Sequence, residues 1–314
     1  LAADDLSLSR LRVFLVVAEE LNFTRAAARL HVAQQALSAT ISRLERELGV
    51  RLFDRTTRAV SLTPAGEAMV RRTRHAFDEL AGGVADARRI DRRGRGGLAV
   101  GVMAGAALEL TDPILAACAE QLPGCTVTLD PHLYDDPSAG LHGGTSDIGI
   151  LRLPLEPRGL ELVRLFSEPR VATLSARHPL AHRATLTLDD VQATTVVRPT
   201  SPDPIWNEFW AAGCATTRDA RTLEAMLEMV SAGQAIAISA VGWLRYYPHP
   251  GVRGVPVAGL ARSEVALGWR KGDPNPLVRR FVELALATAQ AHPLLLQAIE
   301  QPDRTPEGRG PPSP

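Results

Sequence analysis

Apolar positions in the first sixty residues fall at helical spacing in three short runs. Leu11, Phe14, Leu15, Ala18 and Leu21 form the first, Ala26, Ala27 and Leu30 the second, and Leu37, Ile41, Leu44 and Leu48 the third. Three helices in so short a stretch give the smallest core that a helix-turn-helix can use. Thr24, straight after Phe23, reads as the N-cap of the middle helix. Ala26, Ala27 and Ala28 supply small side chains that let two short helices cross closely.

The third run has two faces. With Leu37, Ile41, Leu44 and Leu48 turned inward, Gln35, Ser38, Ala39, Ser42 and Arg46 lie opposite, with Gln34 and Arg43 at the margins. Such groups suit duplex DNA, because Gln pairs bidentately with adenine, Arg binds guanine or phosphate, and Ser adapts to either. Gly49 is a C-cap, after which Arg51, Leu52 and Phe53 lead to Arg55, Thr56, Thr57 and Arg58. Val60 and Leu62 then alternate as a strand does. The pattern predicts a two-stranded wing with Arg55 and Arg58 near its tip, placed for phosphate or minor-groove contact. Each amphipathic helix taken singly is equally a solvated element of any globular protein, and only the ordered combination favours DNA.

A longer helix follows. Thr63 and Pro64 are a cap and first-turn pair, and Ala65, Met69, Ala76, Leu80, Val84 and Ala87 trace an apolar stripe. At 1.5 Å per residue the helix is roughly 40 Å long, and its narrow seam favours packing against a partner's copy over packing on its own domain. The segment Arg92-Arg93-Gly94-Arg95-Gly96-Gly97 reads as a hinge.

From Leu98 onward strands and helices alternate. Strands are expected at Leu98–Val102, Thr126–Leu129, Ile148–Leu151, Val171–Ser175, Thr195–Val197, Ala235–Ser239 and Val265–Trp269. Helices are expected after Gly105 to about Gln121 and at Pro204–Ala212, Leu223–Ala232 and Pro276–Ala291. This is an α/β architecture with mainly parallel sheets, whose ligand crevices form at the carboxyl ends of the strands.

Charge sharpens the division. The 314 residues carry zero net charge, but residues 1–97 hold 17 Arg, no Lys and 12 acidic groups, giving +5 and leaving −5 for the remainder. A basic head on an acidic body fits a DNA-binding domain joined to a sensor. Cys118, Cys125 and Cys214 show no zinc or disulfide spacing, and inert buried thiols are favoured over a redox-sensing role. Leu1 to Arg10 lacks a signal-peptide core and no apolar run approaches a membrane span, so a cytoplasmic location is expected. No cofactor or metal is expected. No G-x-S-x-G elbow, phosphate loop with lysine or H-E-x-x-H occurs, and the histidines are scattered, which argues against an enzyme.

The head resembles that of the LysR-type transcriptional regulators. The resemblance rests on Phe14, Leu21-Asn22-Phe23-Thr24-Arg25-Ala26-Ala27, Gln34-Gln35-Ala36-Leu37-Ser38, Ile41, Leu44-Glu45, Leu48-Gly49, Leu52-Phe53, Arg55 and Leu62-Thr63-Pro64-Ala65-Gly66, and extends more weakly to about residue 290. Ala33 and Gln35 depart from it, standing where the family usually has a serine cap and a proline. A lost cap costs roughly 1 kcal/mol of local helix stability.

The resemblance implies a winged helix-turn-helix over residues 6–63, a linker helix at 64–91 that dimerises, a hinge at 92–97, and a two-lobed, periplasmic-binding-protein-like α/β effector domain at 98–292. Lobe 1 would take about 98–164 and 266–292 and lobe 2 about 165–265, with crossovers near Arg164–Ser167 and Gly259–Ser263. The Pro- and Gly-rich tail, 301–314, is expected to be disordered. The implied partners are double-stranded DNA at a promoter or operator, a small-molecule effector, a second copy in a homodimer, further copies in the family's common homotetramer, and RNA polymerase if the protein activates.

The effector cleft is placed by position. Met103, Ala104 and Gly105 follow the first strand and are expected to open a helix whose amides favour an anion. Tyr134 follows the second strand, and Arg152 follows the third, where similar regulators that sense aromatic carboxylates carry an arginine. Thr200, Ser201, Ile205 and Trp206 are expected to reach inward from the second lobe. One guanidinium, two hydroxyls and aromatic rings suit a small organic carboxylate with an apolar body. Arg152 is equally suited to pairing with a protein carboxylate, Trp206 to the core and Tyr134 to an exposed turn. The alternative function is a solute- or substrate-binding α/β protein with an accessory helical head.

Overall fold

The computed structural model describes residues 6–55, 59–103, 105 and 107–302. Arg58, Ala104 and all but the first two residues of the 301–314 tail lie outside the described residues. The chain divides into two compact units, Leu1–Val84 and Ala85–Pro314.

In the first unit, α1 (Leu8–Glu20), α2 (Phe23–Arg29) and α3 (Gln34–Leu48) precede a hairpin of β1 (Phe53–Arg55) and β2 (Val60–Leu62), and α4 (Pro64–Gly94) begins there. The hairpin is antiparallel, with Phe53 opposite Leu62 and Arg55 opposite Val60. Phe14, Val17, Ala26, Leu37, Ile41, Leu44 and Phe53 are buried together, and the Phe53 ring meets Phe14 and Phe23 edge-on at 5.6 and 5.9 Å. The cap of α2 is Asn22, whose side chain accepts the Arg25 N–H at 3.0 Å, and not Thr24, which lies exposed in the first turn. Phe23 is then the first helical residue and can enter the core. Thr63 Oγ1 accepts the Gly66 N–H at 2.9 Å at the start of α4. A Cβ on Gly66 would lie 2.1 Å from the Leu52 carbonyl oxygen, so only glycine lets α4 cross the wing so closely.

The second unit contains two five-stranded sheets. Its elements after α4 are β3 (Gly97–Met103), α5 (Thr111–Gln121), β4 (Thr126–His132), β5 (Ile148–Leu153), β6 (Leu160–Glu168), β7 (Arg170–Ser175), α6 (Leu188–Gln192), β8 (Val196–Pro199), α7 (Pro204–Ala211), β9 (Thr217–Ala220), α8 (Leu223–Ser231), β10 (Ile236–Ala240), α9 (Val241–Tyr246), β11 (Val252–Pro256), β12 (Ser263–Arg270), α10 (Pro276–Ala291) and α11 (Pro293–Glu300). The first lobe orders its strands β4-β3-β5-β12-β6 and the second β11-β7-β10-β8-β9.

Mainly parallel sheets were expected, and the sheets are mixed. β3 pairs parallel with β4 and β5, and β8 with β9 and β10, but β12 runs antiparallel to β5 and β6, and β7 antiparallel to β10 and β11. The antiparallel strands flank the two crossovers, where the chain changes lobe without an intervening helix. The first change occurs at Pro169, between β6 and β7, just beyond the expected Arg164–Ser167, and the second lies between β11 and β12. Proline has no N–H for a ladder, which suits the point where one sheet ends and the other begins.

The expected hinge also differs. Residues 92–94 are the last turn of α4 and are anchored within this unit. Arg92 reaches Asp147 at 3.0 Å, while Arg93 reaches Asp147 at 3.3 Å and Asp273 at 2.6 Å. Asp147 is fully buried and also accepts the Ala99 N–H at 3.0 Å. Two arginines of the segment read as a hinge are therefore tied to the start of the first lobe.

Candidate functional site

Helix α3 presents the polar face expected of it. Gln34, Gln35, Ala39, Arg43 and Arg46 are exposed, and Ser38 and Ser42 are half-buried. The helix starts after Ala33, which offers no side-chain cap, and stops at Gly49 in the left-handed region, φ +70°. Arg46 forms no ion pair among the described residues, whereas Arg43 is held by Glu47 at 2.9 Å. Glu47 is also paired with Arg10, and these two arginines hold its carboxyl below the usual range.

Arg55, expected near the wing's tip for phosphate or minor-groove contact, is engaged within its own unit. Its guanidinium reaches Glu45 at 2.9 Å, lies 3.4 Å from Ser38 Oγ, and stacks 4.6 Å above the Phe23 ring. Glu45 also accepts the N–H groups of Leu52 and Phe53 at 2.8 and 3.1 Å. One carboxylate on α3 thereby fixes the start of the wing and an arginine that would otherwise be free for phosphate. Sequence reasoning gave Glu45 no role, and its half-buried place between the core and the polar face of α3 is what lets it serve an internal partner.

Between the lobes, Arg152 stands at the centre of the second candidate site. It is fully buried, pairs with Glu168 at 2.6 Å, and donates to Ser263 Oγ and the Gly105 carbonyl, each at 3.3 Å. Its guanidinium lies 5.0 Å from the Trp243 ring centroid. Glu168 also accepts the Gly242 N–H, and a Cβ on Gly242 would lie 2.6 Å from that carboxylate, so glycine is required there. Arg152 thus takes the protein-carboxylate option, and its charge is already met.

Aromatic rings fill the surrounding space. Trp206 donates its indole N–H to the Arg152 carbonyl at 3.1 Å, linking α7 to β5. Tyr134 lies 5.6 Å from Trp206 and 5.9 Å from Trp243, and Trp210 stacks on Trp243 at 4.8 Å. All four rings are buried. Tyr134 is therefore no exposed turn residue, and burial pushes its phenol well above the usual range. Tyr134 Oη, Arg152 Nε and Thr200 Oγ1 are buried without hydrogen-bond partners among the described residues.

Other expected positions are corrected. Met103 is buried at the end of β3. Gly105 sits in a turn at φ +62°, and no α-helix opens there, since α5 begins at Thr111, beside Asp112 and Pro113. Ser201 is engaged in the lead-in to α7, its Oγ accepting the Asp203 N–H at 3.0 Å. Ile205 is exposed: Trp206 and Trp210 take the inner face of α7 at i, i+4, which rotates their neighbour outward. Sequence reasoning missed Glu168, Ser263 and Trp243. The signal for Glu168 was a carboxylate between Phe166 and Val171, in a stretch otherwise fit for burial.

Comparison with known proteins accounts for both units. Residues 8–67 match the model of the bacterial regulatory helix-turn-helix protein, lysR family, and residues 91–290 match the LysR substrate binding domain. A probable hydrogen peroxide-inducible genes activator of Streptomyces viridosporus is 31% identical over 244 residues, 74% of this chain and 77% of that protein. The transcriptional regulator AlsR of Bacillus subtilis is 34% identical over 192 residues, 61% of this chain and 64% of the regulator, a little under two thirds of its length. Among solved structures, full-length BenM shares the fold with a TM-score of 0.51 at 23% identity, covering 92% of this chain and 98% of its own. OxyR of Corynebacterium glutamicum, as a mutant with hydrogen peroxide bound, gives 0.52 at 23%, covering 93% and 97%. Matches to regulators along both units leave the solute-carrier alternative without support, and the chain belongs to the LysR family of DNA-binding transcriptional regulators.

Proposed function

We propose that α3 enters the major groove of an operator and reads it through Gln34, Gln35, Ser38, Ala39 and Ser42, with Thr24, Arg43 and Arg46 toward the backbone phosphates. The single observation that carries this reading is the exposed, acid-free stripe from Gln34 to Arg46 on a helix whose opposite side is core. Arg55 supports the wing from within, and we assign it positioning of the reading surface in place of direct phosphate contact. Replacing Gln34 and Gln35 together with Ala should flatten discrimination between the operator and an unrelated duplex in gel-shift assays while the fold is retained. Unchanged discrimination would remove these residues from the interface.

Dimerisation is assigned to α4, whose Leu80 and Val84 are 48% and 52% exposed on successive turns. Apolar side chains so placed at i, i+4 suit a second helix. Two copies would set two reading helices on successive turns of DNA.

The effector reading rests on the lobes and on the buried polar atoms Tyr134 Oη, Arg152 Nε and Thr200 Oγ1. A carboxylate was the class suggested by a free Arg152. With Glu168 already opposite the guanidinium, the site favours an effector that offers hydrogen-bonding oxygens without a net charge, because an added anion would face Glu168. Thermal-shift screening of matched acids and amides tests this: amides should raise the melting temperature with concentration, and stabilisation by the acids alone would contradict it.

A further inference from the structure

The two crossovers between the lobes are laced by a pair of arginines. Arg170, on the first, donates from Nε to the carbonyl of Ala261 on the second at 2.6 Å. Arg262, on the second, returns to the first, donating from Nε to Ser167 Oγ at 3.0 Å and from Nη2 to the Ser167 carbonyl at 2.9 Å and the Glu300 carbonyl at 2.7 Å. Both line one cavity of about 490 Å³ on the second lobe, whose apolar walls include Val171, Leu244, Val257 and Leu260. That volume is in the range of small-molecule sites.

Among the described residues, neither Arg170 nor Arg262 has a carboxylate in ion-pair range. Arg170 is only 6% exposed, yet among the described residues its partners are carbonyl oxygens, those of Ala261 and of Phe209 at the end of α7, together with the Phe209 ring 3.5 Å beneath it. Burial pulls its guanidinium down to about 10, with no carboxylate to hold it up. Arg262 likewise forms no ion pair among the described residues. Arg245, on the same wall, is already matched by Glu109 at 2.6 Å. A buried cation with only neutral acceptors is costly unless an anion joins it.

We propose that this cavity is a second ligand site, taking a small organic monoanion whose charged group meets Arg170 at the base and Arg262 at the rim, with its apolar body against Val171, Leu244, Val257 and Leu260. The site is separate from the one at Arg152 and independent of how the protein reads DNA. The two differ in charge, the first neutralised by Glu168 and this one without a carboxylate partner among the described residues. Because both arginines also join the crossovers, a bound anion sits against the hinge of the two lobes.

Methyl-resolved NMR of the full chain titrated with hexanoate tests the proposal, with hexanol and inorganic phosphate as matched probes lacking the charge or the apolar body. Hexanoate should shift the methyls of Leu244, Val257 and Leu260 saturably, and each matched probe should bind roughly tenfold or more weakly. Arg170→Met should abolish the response. Leu260→Trp, which puts an indole into the apolar wall where the ligand body would lie and leaves the arginine contacts in place, should weaken binding by roughly tenfold or more, so the test survives if Arg170→Met does not fold. Equal binding of hexanol, shifts confined to methyls elsewhere, or undiminished binding by Leu260→Trp would each overturn the proposal.

Discussion

Arg152 Nη1 and Glu168 Oε1 lie 2.6 Å apart, with both side chains sealed from solvent between two lobes and a tryptophan ring across the guanidinium. Breaking such a pair from one side leaves a buried charge alone, which is far costlier than removing both partners. Arg152→Ala should therefore lower stability by about 3–5 kcal/mol in urea unfolding, and Arg152→Met combined with Glu168→Leu should recover most of the loss. A single variant as stable as the wild type would mean that the pair is solvated.

Arg55 offers a second discrimination. Lysine keeps the charge but loses the fork to Glu45 and the stacking on Phe23. Arg55→Lys should cost roughly 1–3 kcal/mol of stability and leave the salt dependence of DNA binding unchanged. A stable variant with a shallower salt dependence would return Arg55 to the phosphate backbone.

The thiols carry a prediction that concerns peroxide, the signal named for one relative. Burial pushes Cys118 up to about 11 and raises Cys125 and Cys214 as well, so the reactive thiolate is suppressed at neutral pH. Hydrogen peroxide should leave DNA affinity unchanged in a binding assay, and a peroxide-dependent change lost in Cys118→Ala would contradict this. In the unfolded chain the thiol ionises near its ordinary 9.0, in the folded chain near 11. The contribution of Cys118 to stability is thus complete below pH 9 and is lost as pH rises towards 11, and Cys118→Ala should remove that part of the alkaline decline.

On α4, Leu80→Asp with Val84→Asp should shift the sedimentation of the protein toward monomer with the helix content preserved. An unchanged oligomer would place the interface elsewhere.

What the sequence revealed follows from the range of each interaction. The two faces of α3 were legible because helical periodicity is local, as were the cap at Gly49 and the alternation of Val60 and Leu62. Strand direction was not, because β12 reads as an apolar run whichever way it pairs, and only the crossovers make it antiparallel. Ile205 failed by one residue, which on a helix is a rotation of about 100°. Glu45 with Arg55, Arg152 with Glu168, and Arg93 with Asp273 are pairings across the fold that no spacing in the chain announces.

The most direct test of the α3 assignment is a salt titration of binding to duplex DNA from upstream of the protein's own gene, followed by fluorescence anisotropy, for the wild type and Arg46→Ala. The wild type should bind tightly at low salt and lose affinity with a log–log slope of about −0.9 for each phosphate neutralised. Arg46→Ala should shallow that slope by about one unit. No binding at low salt, or a variant with the wild-type slope and affinity, would contradict the assignment.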